Sequence, residues 1–258
     1  MRIALCQLDI KWEDKETNRE KVIAFIGQAN KSNVEIILFP EMTLTGFSMN
    51  TELTGESNEE TVNFFKEIAK SYNIAIGFGW VENTAHKAKN HYTVISREGN
   101  VLSDYVKIHP FSYGDENKFF ESGNKLVKFD MKDFRIATFI CYDLRFPEIF
   151  QAVSNDVDMI VIGANWPKAR KEHWKALLKA RAIENQTYIA GINCVGEKKG
   201  LVYSGNTCLY NPEGNLINEI EDEENIIIYD IDVRNVKEYR AHFPLKKDRK
   251  VDLYKKNL

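Results

Sequence analysis

Three polar residues each cut short an apolar run: Glu41 ends IILFPE, Lys107 ends LSDYVK and Cys141 ends TFIC. Their types suit nucleophilic catalysis by cysteine, which needs a thiolate, a proton acceptor and donors for a developing oxyanion. A free thiol has a pKa of roughly 8.5, so it needs a nearby base or cation to react at neutral pH. Each residue alone also has a plain reading. A buried free cysteine is mostly core filling, a glutamate can cap the loop after it, and a lysine can sit exposed at a strand end. The chemistry rests on the three being carried to one rim by the strands they terminate.

Those strands alternate with helical stretches. RIALCQL precedes the amphipathic NREKVIAFIGQANKS, and VEIILFP is followed by a helical stretch at about 58–72 and then NIAIGFGWV. HYTVIS and VLSDYVK flank REGN, where Gly99 and Asn100 suit a tight hairpin turn. The order then returns. RIALCQLD is echoed by RIATFICYD, VEIILFPE by VDMIVIGANW, and REGNVL by PEGNLI. The spacing is too long for a solenoid and suggests two sheet-and-helix halves about a pseudo-twofold axis, an α/β layered domain. In KEHWKALLKARAIENQ, the residues Trp174, Leu177, Leu178 and Ala182 recur at helical spacing and are expected in the core.

One domain is expected over residues 1–232. A polar tail over 233–258 follows; it keeps Tyr239, Phe243, Leu253 and Tyr254, and is expected to dock on the domain or on a second subunit. With 43% hydrophobic and 28% charged residues the chain has the balance of a globular protein with a sizeable core. A net charge of -3 excludes a nucleic-acid signature, and the acidic EIEDEEN at 219–225 reads as a solvated hairpin edge. No apolar run reaches the length of a membrane span, and the N-terminal one is too short for a signal peptide. The cysteines at 6, 141, 194 and 208 form no CxxC pair, a reduced, cytoplasmic pattern. His86, His91, His109, His173 and His242 make no HxH or HExxH spacing, so no metal site is read. His109 lies two residues after Lys107, but no Cys-His hydrolase signature surrounds it.

LFPEMTLTGF around Glu41, YVKIHPF around Lys107 and ICYDLRFPE around Cys141 resemble the three signatures of the nitrilase (carbon–nitrogen hydrolase) superfamily. The likeness runs over nearly the whole chain. It implies a four-layer α-β-β-α sandwich with internal pseudo-twofold symmetry, which agrees with the repeat read above. It also implies a homodimer that needs no cofactor or metal. By this resemblance Cys141 is the nucleophile, Glu41 the general base and Lys107 the cation beside the tetrahedral intermediate, with the backbone N–H of Tyr142 as a second oxyanion donor. The family's second glutamate falls on Glu116 or Glu121, and the spacing to Gly123 favours Glu116.

Residues 164–196 resemble the bacterial ω-amidase branch, which implies hydrolysis of the terminal amide of 2-oxoglutaramate or 2-oxosuccinamate. Cys194 stands where that branch usually has arginine. A substrate with a remote carboxylate needs a cation in the pocket. Arg145 is one candidate, with Lys168 and Arg170 as others, while an ion pair of Arg145 with Asp143 or Glu148 is the structural alternative. Trp166, Phe47 and Tyr113 are candidate pocket walls. The competing functions are an N-carbamoyl amine or amino-acid hydrolase and, outside catalysis, a binding scaffold.

Overall fold

The computed structural model describes residues 1–257. The first half contains β1 (Arg2–Gln7), α1 (Lys15–Lys31), β2 (Ile36–Leu38), the single turn α2 (Thr51–Thr54), α3 (Glu60–Tyr72), β3 (Ala75–Glu82), β4 (Lys89–Ile95) and β5 (Val101–Val106). A short helix, α4 (Glu116–Phe119), leads to β6 (Lys128–Met131), β7 (Phe134–Ile140), α5 (Pro147–Val153), β8 (Met159–Ala164) and α6 (Lys171–Asn185). Then come β9 (Tyr188–Asn193), β10 (Val195–Lys198), β11 (Leu201–Tyr210) and β12 (Leu216–Glu221), and last β13 (Asn225–Asp230), α7 (Val233–His242) and α8 (Val251–Asn257).

Two sheets carry the pseudo-symmetry. One runs β13-β1-β2-β3-β4-β5 and the other β10-β11-β9-β8-β7-β6, with β12 added beside β11. Parallel β1-β2-β3 corresponds to parallel β7-β8-β9. The antiparallel β4 and β5 correspond to β11 and β12, and each pair turns through a glycine of positive φ, Gly99 at 84° and Gly214 at 81°. Residues alternate across a strand, and β1 shows what that does here. Ile3 and Leu5 join the core that continues into the second sheet, while Ala4 and Cys6 pack with Val22 and Ile26 of α1 and Phe65 of α3. Helix α6 buries Trp174, Leu178 and Ala182 on the outer face of the second sheet and leaves Leu177 half-buried at the edge. The layers are therefore α-β-β-α.

The acidic segment starts as the solvated hairpin edge expected of it, since Glu219 and Glu221 lie on β12, the outer strand of the β11–β12 hairpin. Residues 222–224 then cross to β13, which pairs with β1 in the other sheet. Its carboxylates meet lysines on both halves: Glu219 with Lys175, Glu221 with Lys171, Asp222 with Lys168 and Glu224 with Lys21.

The C-terminal segment packs on its own chain. Val236 of α7 is fully buried, and Arg240 donates to the carbonyls of Ser154, Val157, Asn185 and Gln186. Gln186 Nε2 answers by donating to Phe243 O at 2.7 Å. Leu258, the last residue of the tail, lies outside the described residues. No helix among the described residues is long and apolar enough to cross a membrane.

Candidate active site

Glu41, Lys107 and Cys141 each follow the end of a strand, β2, β5 and β7 respectively, and the sandwich brings all three to one rim. The turn carrying Glu41 lies against β3, where Gly79 accepts from Thr43 N at 3.0 Å and donates to Thr43 Oγ1 at 3.0 Å. A Cβ on Gly79 would fall on the Met42 amide and the Glu41 backbone, so only glycine allows this approach. Lys107 is gripped along its backbone, its N–H donating to Asn90 O at 2.9 Å and its carbonyl accepting from Gly123 N at 2.7 Å. Cys141 has φ 46°, a left-handed conformation that is sparsely populated outside glycine. The bend stops β7 and opens the 3-10 turn Cys141–Arg145, which leaves the Tyr142 N–H without an intrahelical acceptor.

Glu41, Lys107 and Glu116 form a sealed charge cluster, none more than 1% exposed. Lys107 Nζ donates to Glu41 Oε1 at 2.9 Å and to Glu116 Oε2 at 2.8 Å. Asn90 Nδ2 donates to Glu41 Oε1 at 2.8 Å and to Glu116 Oε1 at 3.1 Å, tying the two carboxylates together. Glu116 Oε2 also accepts from the Phe111 N–H. Asn165 completes the frame. Its N–H donates to Glu41 Oε2 at 2.9 Å, and its carbonyl lies 4.0 Å from Cys141 Sγ. Glu121 makes none of these contacts; its N–H donates to Ala88 O at the edge of a separate, polar groove.

The electrostatics follow from this burial. Desolvation alone would lower the Lys107 pKa, but the Glu116 and Glu41 carboxylates outweigh it and hold the ammonium above the ordinary lysine range. Burial, then Glu41, raises the Cys141 thiol well above its usual value, against the pull of Lys107. Burial also raises the Glu116 carboxyl, with Lys107 opposing and Glu41 adding. The resting state is therefore a neutral thiol beside a protonated amine.

Cys141 is the partly exposed one of the four cysteines; Cys6, Cys194 and Cys208 are buried. It opens onto a cavity of about 250 Å³ lined by Phe47, Tyr142, Arg145, Trp166, Arg170 and Tyr203 among others. Phe47 lies under Lys107, its ring centroid 5.2 Å from Nζ. The Arg145 guanidinium stacks over Trp166 at 4.6 Å and that of Arg170 over Phe111 at 5.5 Å. Among the described residues neither has a carboxylate within salt-bridge distance. Burial, then the charge of Arg170, lowers the Arg145 pKa, the mark of two cations facing one space.

Three expectations change here. Arg145 does not pair with Asp143 or Glu148, because Asp143 is turned inward onto Tyr105 and His109. Lys168 is spent on Asp222 at 3.0 Å and does not line the cavity. Tyr113 is 86% exposed and its neighbour Gly114 lines the cavity instead, since the 3-10 turn Ser112–Gly114 swings the phenol outward. Cys194 is a core residue, packed against the first sheet and raised by burial to about 12. Asn90 and Asn165 were not singled out from sequence. Asn90 directly precedes the HYTVIS run and Asn165 directly follows the VDMIVIGA run, so nothing in their local sequence marked them.

The described geometry has close counterparts. Residues 2–241 match the family model of the carbon–nitrogen hydrolases. The chain is 31% identical to the 2-oxoglutaramate amidase of Bacillus subtilis (strain 168), over 98% of each chain. It is 33% identical to omega-amidase YafV of Escherichia coli (strain K12), over 96% of each. The crystal structure of XC1258 from Xanthomonas campestris, a CN-hydrolase superfamily protein with an arsenic adduct in its active site, superposes with a TM-score of 0.91 at 30% identity, covering 96% of this chain and 97% of that one.

Proposed function

Since this chain belongs to the carbon–nitrogen hydrolase family and is a hydrolase acting on amides, we propose that it cleaves the terminal amide of a small 2-oxo dicarboxylic acid monoamide. 2-Oxoglutaramate and 2-oxosuccinamate are the substrates meant. The observation that carries this reading is the pair of guanidiniums, Arg145 and Arg170, facing the same small cavity as Cys141 with no carboxylate among the described residues within salt-bridge distance of either. An unpaired cation in a partly apolar pocket is a receptor for a carboxylate. The volume suits a molecule of roughly ten non-hydrogen atoms rather than a peptide side of an interface.

In this reading Cys141 Sγ attacks the amide carbonyl while Glu41 takes the thiol proton. The raised thiol pKa makes that transfer part of the attack, not a step that precedes it. The oxyanion forms between Lys107 Nζ and the Tyr142 N–H. Collapse breaks the C–N bond, and Glu41 returns the proton to the leaving ammonia. Water, deprotonated by Glu41, then cleaves the thioester, giving the 2-oxo acid and the free thiol. Glu116 holds Lys107 in place throughout, bidentate on Nζ.

The proposal extends to a homodimer in the cytoplasm. Phe243, Leu253 and Tyr254 remain exposed beside the docked α7 and offer a face for a second copy. The decisive assay is ammonia release from 2-oxoglutaramate by the wild type and by Cys141→Ala, with an N-carbamoyl amino acid alongside. Turnover of the 2-oxo amide that disappears in the variant supports substrate and nucleophile together. Turnover of the carbamoyl compound alone keeps the mechanism and moves the substrate, and turnover of neither returns the scaffold reading.

A further inference from the structure

Asp143 has no part in the scheme above, yet its carboxylate is as fully engaged as those of Glu41 and Glu116. It is fully buried. Its Oδ1 accepts from His109 N at 3.0 Å and contacts His109 Nδ1 at 2.8 Å, and its Oδ2 accepts from Tyr105 Oη at 2.8 Å and Ile140 N at 3.1 Å. Tyr105 and His109 stand two residues either side of Lys107. Ile140 and Asp143 itself flank Cys141. One carboxylate therefore joins the strand end that carries the ammonium to the strand end that carries the thiol.

We propose that Asp143 is a positioning residue, a rivet that sets the separation of Cys141 Sγ from Lys107 Nζ and Glu41. Three further observations bear on this. Cys141 has a left-handed backbone that must be held from outside, and the Ile140 N–H bond fixes the residue just before it. The His109 ring stacks on Phe146 at 3.8 Å, closing the same seam from the far side of the 3-10 turn. Tyr105 is a neutral donor, its phenol pushed up by burial and then by Asp143, and its oxygen also accepts from Ile108 N at 3.3 Å. Both sides of the seam thus depend on the same two oxygens.

The role rests on Cys141 being the nucleophile, and the test separates the two ideas. Asp143→Asn keeps an acceptor for one side and turns an amide donor toward the other. It is expected to lower kcat about 100-fold, the scale of an ångström-sized misplacement, with KM within about threefold. Iodoacetamide alkylation of Cys141 in the folded variant should slow in parallel, a readout that needs no substrate. Tyr105→Phe removes a single O–H and should give the same split at about tenfold. If Asp143→Asn fails to fold, the Tyr105 variant decides. Unchanged kcat and alkylation in folded variants, or a rise in KM with kcat intact, would overturn the proposal. Full turnover by Cys141→Ala would instead remove the nucleophile reading on which it stands.

Discussion

Glu41 and Asn165 are joined three times across the pseudo-twofold axis: the Asn165 N–H reaches Glu41 Oε2 at 2.9 Å, and its side-chain amide reaches Glu41 O at 2.7 Å and Oε2 at 3.4 Å. The two residues close equivalent strands, β2 and β8, so the repeat itself sets one half's loop against the other's. With Lys107 and Asn90 donating to Oε1, both carboxylate oxygens are held by donors. Glu41 is fixed in position before any substrate arrives.

Glu41→Gln should therefore abolish turnover while making the thiol more acidic. An amide cannot accept the thiol proton, and its NH₂ must face a donor whichever way it turns. A loss in kcat of about 10³-fold is expected for a positioned base. Removing a neighbouring negative charge favours the thiolate, so the Cys141 pKa falls, the reverse of the contribution Glu41 makes in the wild type. The pH dependence of Cys141 alkylation should move to lower pH in the variant. A midpoint that rises or stays put would show that Glu41 does not act on the thiol.

Arg145→Met should separate binding from chemistry. Loss of a charge-assisted contact to a carboxylate costs about 1.5–3 kcal/mol, so KM for 2-oxoglutaramate should rise roughly 10- to 150-fold with kcat little changed. Arg170→Met should act in the same direction, because it shares the cavity. A neutral primary amide of similar size should show no such penalty. Equal losses for the charged and neutral amides would assign the arginines to packing against Trp166 and Phe111 instead.

Much of this arrangement was legible because strand chemistry is local. Apolar runs ended at Glu41, Lys107 and Cys141, Gly99 marked its hairpin, and the repeated RIA and REGN/PEGN segments foretold paired sheets. What was not legible depends on contacts between halves. Nothing local says that Asn90 bridges two carboxylates, that Asn165 clasps Glu41 from the opposite half, or that Asp143 turns inward, away from Arg145, whose guanidinium meets His173 instead. The acidic 219–225 segment shows both sides of this. Its first residues form the expected hairpin edge on β12, but nothing local says that the chain then crosses to pair β13 with β1 in the other sheet.

Arg240→Ala should loosen the C-terminal segment without touching the site. The guanidinium is partly buried and serves carbonyls of Ser154, Val157, Asn185 and Gln186. Leaving such acceptors unpaired costs about 1–3 kcal/mol each before water compensates, so a loss on the order of 3 kcal/mol in urea unfolding is expected. Amide hydrogen exchange in α7 should accelerate more than in β7 or β8. Uniform acceleration over the whole chain would show that the segment is not a separable unit.

Lys107→Met makes the sharpest prediction about pH. The variant leaves Glu41 and Glu116 facing each other in a site closed to solvent, and removing one partner of a buried ion pair costs about 3–5 kcal/mol. Lys107 has a raised pKa, so its own charge is complete below the unfolded value and lost only as pH climbs through the folded one. That window is alkaline and contributes no slope between pH 5 and 8. Glu116 does contribute. Burial raises its pKa, Lys107 opposes that rise, and without the ammonium the pKa climbs further. A carboxyl raised in the folded state is most favourable below its unfolded pKa of about 4.3 and loses stability as pH rises through the folded value. The stability gap between wild type and Lys107→Met should therefore be widest at pH 8 and narrow toward pH 5, as the carboxyl pair takes up a proton. Urea midpoints measured across that range test this directly. A gap that stays constant would mean the two carboxylates do not repel each other in the folded protein, and that the ammonium is not what holds them together.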